Sequence, residues 1–399
     1  MTRVTIRRLT VEETLDEFFE LTQYAFRSSP PYGDKEDWSV AIRQRKDATY
    51  FGTLEDDQVV ATVAGSPMTQ QVRGAMYDVC GVWGVVTAPA ARRKGYSRRL
   101  MASLLTAARE AGEPLSCLYP FRASFYERLG YVKFPLSSKV TFAPSALAPL
   151  LGQDLGGDVE RVLLGDGYDT YRTYLKRLQQ RTHGMGVFVH GEKWRAKKEN
   201  RSWLAVARVG SQVVGVMTYR LEGDEVTRFA LRADRFYYDT RQARYLLLQW
   251  LARHVDQAFE VELWIPPGER PEMWLADIQP AVTAPPREAM GRVVDLAGLG
   301  DMETGPGTFT ARVSDPLCPW NERLWRFETV DSQLTVARAE EADCDLTIQA
   351  IAALVYGTLD PGDFVYRGWG DPSPDLQKTM RTMFPPRLPS TRPWTSQRS

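Results

Sequence analysis

Histidine is scarce in this chain. His183, His190 and His254 are the only three among 399 residues, which leaves little material for a histidine metal site or a Ser-His-Asp triad. If the chain is an enzyme, its acid and base are of other residue types. Cysteine is scarce too: Cys80, Cys117, Cys318 and Cys344 show no metal-type spacing and are too few for a disulfide framework, so they read as buried thiols and no metal is expected. Net charge is missing, because 50 Lys and Arg balance 50 Asp and Glu, and no overall field draws the chain to nucleic acid or to an anionic membrane. Any anion recognition must come from local clusters. Long apolar runs are absent as well, and the N-terminal "MTRVTIRRLTVEETLDEFF" is charged and periodic where a secretory signal would be apolar. A cytoplasmic location with no membrane partner is the expectation. What remains is an ordinary 43% of hydrophobic residues and a length that implies about two to three domains.

Strand and helix patterns alternate up to about residue 140. "ATYFGTLEDDQVVATVAGSPMTQQVRGAMYDVCGVWGVVTAP" supplies strands, and the next segment predicts a helix because Leu100, Met101, Leu104, Leu105 and Ala108 form one apolar stripe. A Gly-, Pro- and Asp-rich stretch from about 143 to 170 marks a boundary. The first pattern then recurs. "SWLAVARVGSQVVGVMTYRLEGDEVTRFALRA" repeats the order of strand, polar turn, Gln-Val-Val and second strand, and "TRQARYLLLQWLARHVDQA" stands where the first long helix stood. The second copy lacks a basic, glycine-containing turn before its helix. It therefore reads as a scaffold copy of a duplicated fold with one working site. The last hundred residues read as a small α+β domain with a Pro-rich tail.

The chemical signal is strongest in "VVTAPAARRKGYSRRL". An extended run (Val85, Val86, Thr87) leads through Arg92, Arg93, Lys94, Gly95, Tyr96 and Ser97 into the helix. Free amides at a helix N-terminus, reinforced by its dipole and nearby cations, make a phosphate site, and Gly95 allows close backbone approach. Alone, such a turn is equally a basic helix start on a solvated face. "SCLYP" and "FYERLGYV" follow it in order, with Tyr126 and Tyr131 on either side of an Arg-Leu-Gly.

This order resembles the GNAT superfamily of acyl-coenzyme A transferases, whose pyrophosphate loop has the form Arg/Gln-x-x-Gly-x-Gly/Ala. Arg92 and Gly95 fit it, and Ser97 departs mildly at the last small position. Across nearly the whole chain, "RRKGYSRRLM", "SFYERLGYV", "ARHVDQ", "AMGRVVDL" and "DPLCPWNERLWRFE" together resemble the Eis-type acetyltransferases. The resemblance implies a mixed α/β (α+β) chain of tandem GNAT folds, the second degenerate, then a sterol-carrier-protein-like α+β domain. The expected boundaries are 1–142, 143–288 and 289–399.

The resemblance also implies roles. The Arg93–Ser97 amides, with Arg92, hold the pyrophosphate of acetyl-coenzyme A, while Val85, Val86 and Thr87 meet the pantetheine arm, with the N–H near Val85 facing the oxyanion. Direct attack of an amine on the thioester needs a base, an oxyanion donor and an acid for the leaving sulfur. Tyr126 takes the acid role, and Tyr131 reads as packing. For the base, either the Ser399 carboxylate reaches the cleft, or the tail "PWTSQRS" overshoots and water or another acid serves. Asp34, Glu36, Asp37 and Trp38 fall where the family lines its acceptor pocket, although such a run is also a common solvated loop. The expected acceptor is a primary amine, aminoglycoside- or polyamine-like, or a lysine side chain, and the family implies a homo-oligomer, a hexamer among its forms. A rival is an apolar-ligand carrier with a vestigial transferase half.

Overall fold

Two long β-hairpins organise the molecule. The computed structural model describes residues 2–390 apart from Ser28, Lys46, Glu192, Val226, Thr227 and Pro286. One unit gathers 1–134, 183–190 and 289–389, and the other gathers 135–182, 191–288 and Ser390.

In the first unit, strands β1 (Val4–Arg8), β2 (Thr49–Glu55), β3 (Gln58–Val72), β4 (Ala75–Thr87) and β5 (Leu115–Leu118) lie side by side in that order. The β-branched run "QVVATV" suits the β3 half of the hairpin, and a two-residue turn, Arg73 and Gly74, returns the chain into β4. All neighbours are antiparallel except β4 and β5, whose parallel pairing requires the helix Tyr96–Glu110 as crossover. That helix buries the stripe read from sequence: Leu100, Met101, Leu104, Leu105 and Ala108 are all buried against Val63, Cys80 and Val82. Each such leucine contributes about 1.5–3 kcal/mol.

Two strands from distant sequence extend this sheet. Gly186–Phe188 pairs with β3 at Met68–Gln70, and Met290–Val293 lies between β5 and Val132–Lys133. A second sheet of the same unit runs Gln333–Arg338, Leu324–Val330, Thr308–Ser314 and Cys344–Thr347. The helix Ile348–Tyr356 is apolar apart from Gln349 because both sheets cover it, with the Tyr356 ring 4.7 Å from that of Phe134. Arg73 closes its C-terminal end, donating to the carbonyls of Leu354 and Val355 at 2.8 Å and to Pro385 at 3.0 Å. All four thiols are free; Cys80 and Cys318 are buried, but Cys117 and Cys344 are only half-buried, which corrects the expectation of four buried thiols.

The other unit repeats the first design. Its sheet runs Ala281–Thr283, Ser138–Phe142, Ala258–Ile265, Arg228–Tyr238, Gln212–Glu225, Trp203–Val209 and Asp158–Leu163. Again one pair is parallel, Arg228–Tyr238 with Ala258–Ile265, joined by the helix Arg241–Ala252. No helix among the described residues is long and apolar enough to cross a membrane.

Glu113, just past the crossover helix of the first unit, is half-buried. Burial, with Asp78 adding repulsion, pushes its carboxyl up to about 7. Between its ordinary value near 4.5 and 7 the folded chain holds a proton that the unfolded chain has lost, so stability falls as pH rises through that window. Glu113→Gln is expected to unfold at a higher temperature than the parent at about pH 8, with the gap closing near pH 4.5. Melting curves that stay parallel across this range contradict the assignment.

Candidate active site

β4 and β5 stay paired only from Val79 with Leu115 to Val82 with Leu118. Beyond that point they separate, and the cause lies on the other edge of β4. Ala64 pairs with Trp83 but Thr62 pairs with Val86, so Gly84 and Val85 together face the single residue Val63 in a β-bulge. Gly84 has φ +61°, and a Cβ there would lie 2.5 Å from the Phe18 ring, so this bulge requires glycine. The bulge bends β4 away from β5. Among the described residues the β5-facing edge of Val85, Val86 and Thr87 has no strand partner, which leaves backbone donors and acceptors for an extended ligand.

At the end of β4, a short turn (Pro89–Ala91) and Arg92 bring the chain to Gly95, the N-cap of the crossover helix, at φ +79°. No side chain caps this helix, and its first intrahelical bond runs from Arg99 N to Gly95 O at 3.2 Å. The amides of Tyr96, Ser97 and Arg98 are therefore left for an external acceptor, and the dipole favours an anionic one. A Cβ at Gly95 would meet nothing within 4 Å, so the space over these amides is open.

The three cations of the loop are exposed but not equivalent. Lys94 donates to Glu55 at 2.8 Å and the Tyr96 hydroxyl at 2.5 Å, and these bonds, Lys94 first, hold the Glu55 carboxyl below its ordinary range. Arg92 reaches back to the Thr87 carbonyl at 3.4 Å, and Arg93 makes no ion pair among the described residues. Ser97 gives a reason for its departure from a smaller residue: its hydroxyl meets that of Thr87 at 2.9 Å, tying the strand's end to the helix's start.

Tyr126 lies on the helix Ala123–Glu127, just after β5, and is 4% exposed. Its ring is edge-on to Phe121, Phe125 and Tyr131 at 5.8, 5.0 and 6.0 Å, and its hydroxyl makes no hydrogen bond among the described residues. Burial raises its phenol above the ordinary value, so it stays protonated. Tyr131 differs in its hydroxyl, which meets Ser116 Oγ at 2.8 Å, while Ser116 also donates to the Cys80 carbonyl at 3.0 Å. One tyrosine has its hydroxyl free, and the other is pinned.

The acidic run 34–38 begins the helix Lys35–Gln44 and is no loop. Asp34 is its N-cap, accepting from the amides of Glu36 at 2.6 Å and Asp37 at 3.1 Å, and Glu36 and Asp37 fill the first turn. Trp38 turns inward to an aromatic group the sequence did not single out. Phe18, Tyr50 and Trp83 have ring centroids within 5.9 Å of one another, Trp38 is 6.4 Å from Trp83, and the Arg45 guanidinium lies 4.2 Å over Trp83. Trp83 immediately precedes the bulge, so this group packs directly beside it. Glycine inside an otherwise strong strand, "CGVWGVVT", was the signal that could have found it. The Arg92–Ser97 loop and Val85–Thr87 lie where β4 leaves β5, and Tyr126 belongs to the apolar cluster against which Val85 packs, whereas Ser399 lies outside the described residues.

The second unit has the same split without the anion site. Its parallel pair ends at Ala233 with Leu263, and Asp234 bulges between Ala233 and Arg235. Here, however, the Thr240 hydroxyl caps the helix at 3.1 Å from Ala243 N. Asp239 stands at that end, accepting from Arg177 at 2.9 Å and Tyr174 at 2.8 Å and paired with Arg181. The Thr240 hydroxyl thus takes a helix-end amide that the first unit leaves open, and two arginines already hold the Asp239 carboxylate.

Comparison with known proteins matches family models to three stretches of the chain. A model of the acetyltransferase (GNAT) domain matches residues 5–134, a second acetyltransferase (GNAT) domain model matches 186–293, and a sterol carrier protein domain model matches 298–390. An uncharacterized N-acetyltransferase of Streptomyces coelicolor is 26% identical over 319 residues, which are 71% of this chain and 72% of that protein. Among solved structures, a probable N-acyltransferase of Enterococcus faecalis superimposes with TM-score 0.84 at 18% identity, covering 99% of this chain and 100% of the other. Eis1 of Mycobacterium abscessus gives TM-score 0.77 at 18% identity, covering 98% and 99%. At these identities the superpositions establish the fold.

Proposed function

Because the chain belongs to the GNAT N-acetyltransferases, with the Eis-type order of two GNAT domains and a sterol carrier protein domain, we propose that its first domain acetylates a primary amine. The observation that carries this reading is the uncapped, open helix end at Gly95 beside a strand edge that has no strand partner among the described residues. These features suit acetyl-coenzyme A, which supplies the thioester as co-substrate. The amides from Arg93 to Ser97, with Arg92 nearby, take its pyrophosphate, and Val85, Val86 and Thr87 pair with its pantetheine arm. The Val85 amide is aimed at the carbonyl oxygen as charge develops there. Tyr126, kept protonated by burial, gives its proton to the departing sulfur.

The acceptor in this proposal is aminoglycoside- or polyamine-like, or a lysine side chain. Trp38 walls its pocket through the aromatic group, and Glu36 and Asp37 supply negative charge at the rim; Asp34 acts through its cap of their helix. Ser399 is the proposed base. Deleting residues 395–399 is then expected to lower kcat about 10²-fold at neutral pH, and an unchanged rate excludes Ser399. The division at 142/143 and 288/289, a cytoplasmic location and a homo-oligomer complete the proposal. The carrier reading draws on the match of residues 298–390 to a sterol carrier protein domain, and the uncapped helix end at Gly95 is what favours the transferase.

Release of free thiol from acetyl-coenzyme A, followed over a panel of mono-, di- and polyamines and lysine peptides, tests the function. Amine-dependent release is expected. Release that no amine accelerates would overturn it. Gly95→Ala is a narrower check: a Cβ at φ +79° costs about 1–3 kcal/mol of backbone strain or shifts the amides. KM for acetyl-coenzyme A is expected to rise about tenfold or more while kcat at saturation changes little.

A further inference from the structure

The loop before the crossover helix of the first unit is bent in a way its own residues do not favour. Arg92 is extended, but Arg93 turns into the left-handed region at φ +64°, and Gly95 follows at φ +79°. Glycine takes such an angle freely, whereas a residue with a side chain as large as arginine does not. Strained backbone of this kind persists only where the surroundings over-determine it. The amides that the loop presents therefore depend on a contact from outside it.

That contact comes from Glu55. Its side chain is 18% exposed, and one carboxylate oxygen, Oε1, accepts both from Lys94 Nζ at 2.8 Å and from the Tyr96 hydroxyl at 2.5 Å. Lys94 follows Arg93 and Tyr96 opens the helix, so Glu55 grips the chain on both sides of Gly95. Glu55 is itself firmly placed. It ends β2, pairs with Val4 of β1 and with Gln58 of β3, and precedes a two-residue turn in which Asp56 and Asp57 take φ +46° and +68°, angles that match a hairpin's twist. Arg3 N adds a bond to Asp56 Oδ1 at 2.8 Å. On the other side of the contact, the Tyr96 ring is buried in one cluster with Ala61, Val63 and Leu100.

We propose, on the acetyl-coenzyme A reading of this loop, that Glu55 is a positioning residue of the coenzyme site: through Lys94 and Tyr96 it keeps the Arg93–Ser97 amides aimed at the pyrophosphate without touching the ligand. Lys94 then differs in its part from Arg92 and Arg93, because its ammonium is already paired with Glu55 and serves as a fastener. The sign of the effect separates this role from a plain electrostatic one. A carboxylate beside an anion site repels the anion, so on charge alone its removal strengthens binding. Loss of a positioning contact weakens binding, because only the fraction of molecules with the loop in the right shape can take the ligand.

Calorimetric titration of the full-length protein with coenzyme A, beside steady-state kinetics, tests the role. Glu55→Gln is expected to raise Kd about tenfold, the result of a loop that holds the binding shape about a tenth of the time. Glu55→Asp keeps the charge but is one methylene shorter, which draws the oxygen back from both donors, and it is expected to raise Kd about fivefold or more. KM for acetyl-coenzyme A is expected to rise in step while kcat at saturation stays within about twofold of the parent, which also shows that the variants are folded. Tyr96→Phe added to Glu55→Gln is expected to weaken binding by less than about twofold further, since its bond is already gone. Tighter or unchanged binding by Glu55→Gln, or a parental Kd for Glu55→Asp, overturns the positioning role and leaves the coenzyme site standing. No binding of coenzyme A by the parent overturns the site itself, and the role of Glu55 with it.

Discussion

Tyr126→Phe is expected to lower kcat by about 10²-fold or more while the affinity for acetyl-coenzyme A stays within about threefold of the parent. The substitution removes one oxygen and keeps the ring contacts with Phe121, Phe125 and Tyr131. No protein hydrogen bond is lost among the described residues, so packing and stability have no reason to change. The whole effect falls on the proton that a leaving thiolate needs. Tyr131→Phe gives the opposite pattern, because its hydroxyl is held by Ser116 in a fully buried site. It is expected to cost about 1 kcal/mol of stability and to leave kcat nearly intact. If Tyr126→Phe turns over at the parental rate from about pH 6 to about pH 9, the acid is another group.

The second large effect is on stability. Arg292 and Asp315 are 0% and 1% exposed, and Arg292 Nη2 donates to both Asp315 carboxylate oxygens, at 2.7 and 2.6 Å. Arg292 also donates to the Leu129 carbonyl, and Asn321 donates to Asp315 at 2.9 Å. Removing one partner strands a charge in the core. Asp315→Asn is expected to destabilise the fold by about 3–5 kcal/mol, a fall in Tm on the order of 10 °C. Arg292→Met with Asp315→Leu is expected to recover much of that loss, because paired burial of ions is often no better than apolar packing. A single variant that melts within about 2 °C of the parent contradicts this account.

Local pattern carried much of the fold into view. The stripe from Leu100 to Ala108, the loop from Arg92 to Ser97 and the recurrence of the first hairpin in the second all lie within short windows, where periodicity and turn chemistry act directly. The roles expected of the two tyrosines came from the family resemblance, and only the fold shows that their hydroxyl environments differ. Long-range pairing left no such trace. "MGRV" at 290–293 is too short to stand out, and its buried Arg292 makes sense only beside Asp315. Gly186–Phe188 joins a strand more than a hundred residues earlier in the chain. Asp34 is a different case: an acid followed by acids is a helix start as well as an acceptor wall, and the capping bonds belong to the first meaning. The bulge at Gly84 and the Glu55 latch on Lys94 and Tyr96 each depend on a partner from another strand, which no local window contains.

The central claim is that one GNAT copy works and the other is closed at its phosphate end. Calorimetric titration of the full-length protein with acetyl-coenzyme A tests it most directly. One site per chain is predicted, weakened by Gly95→Ala and unaffected by Thr240→Ala. No detectable binding, or two sites per chain, would contradict it.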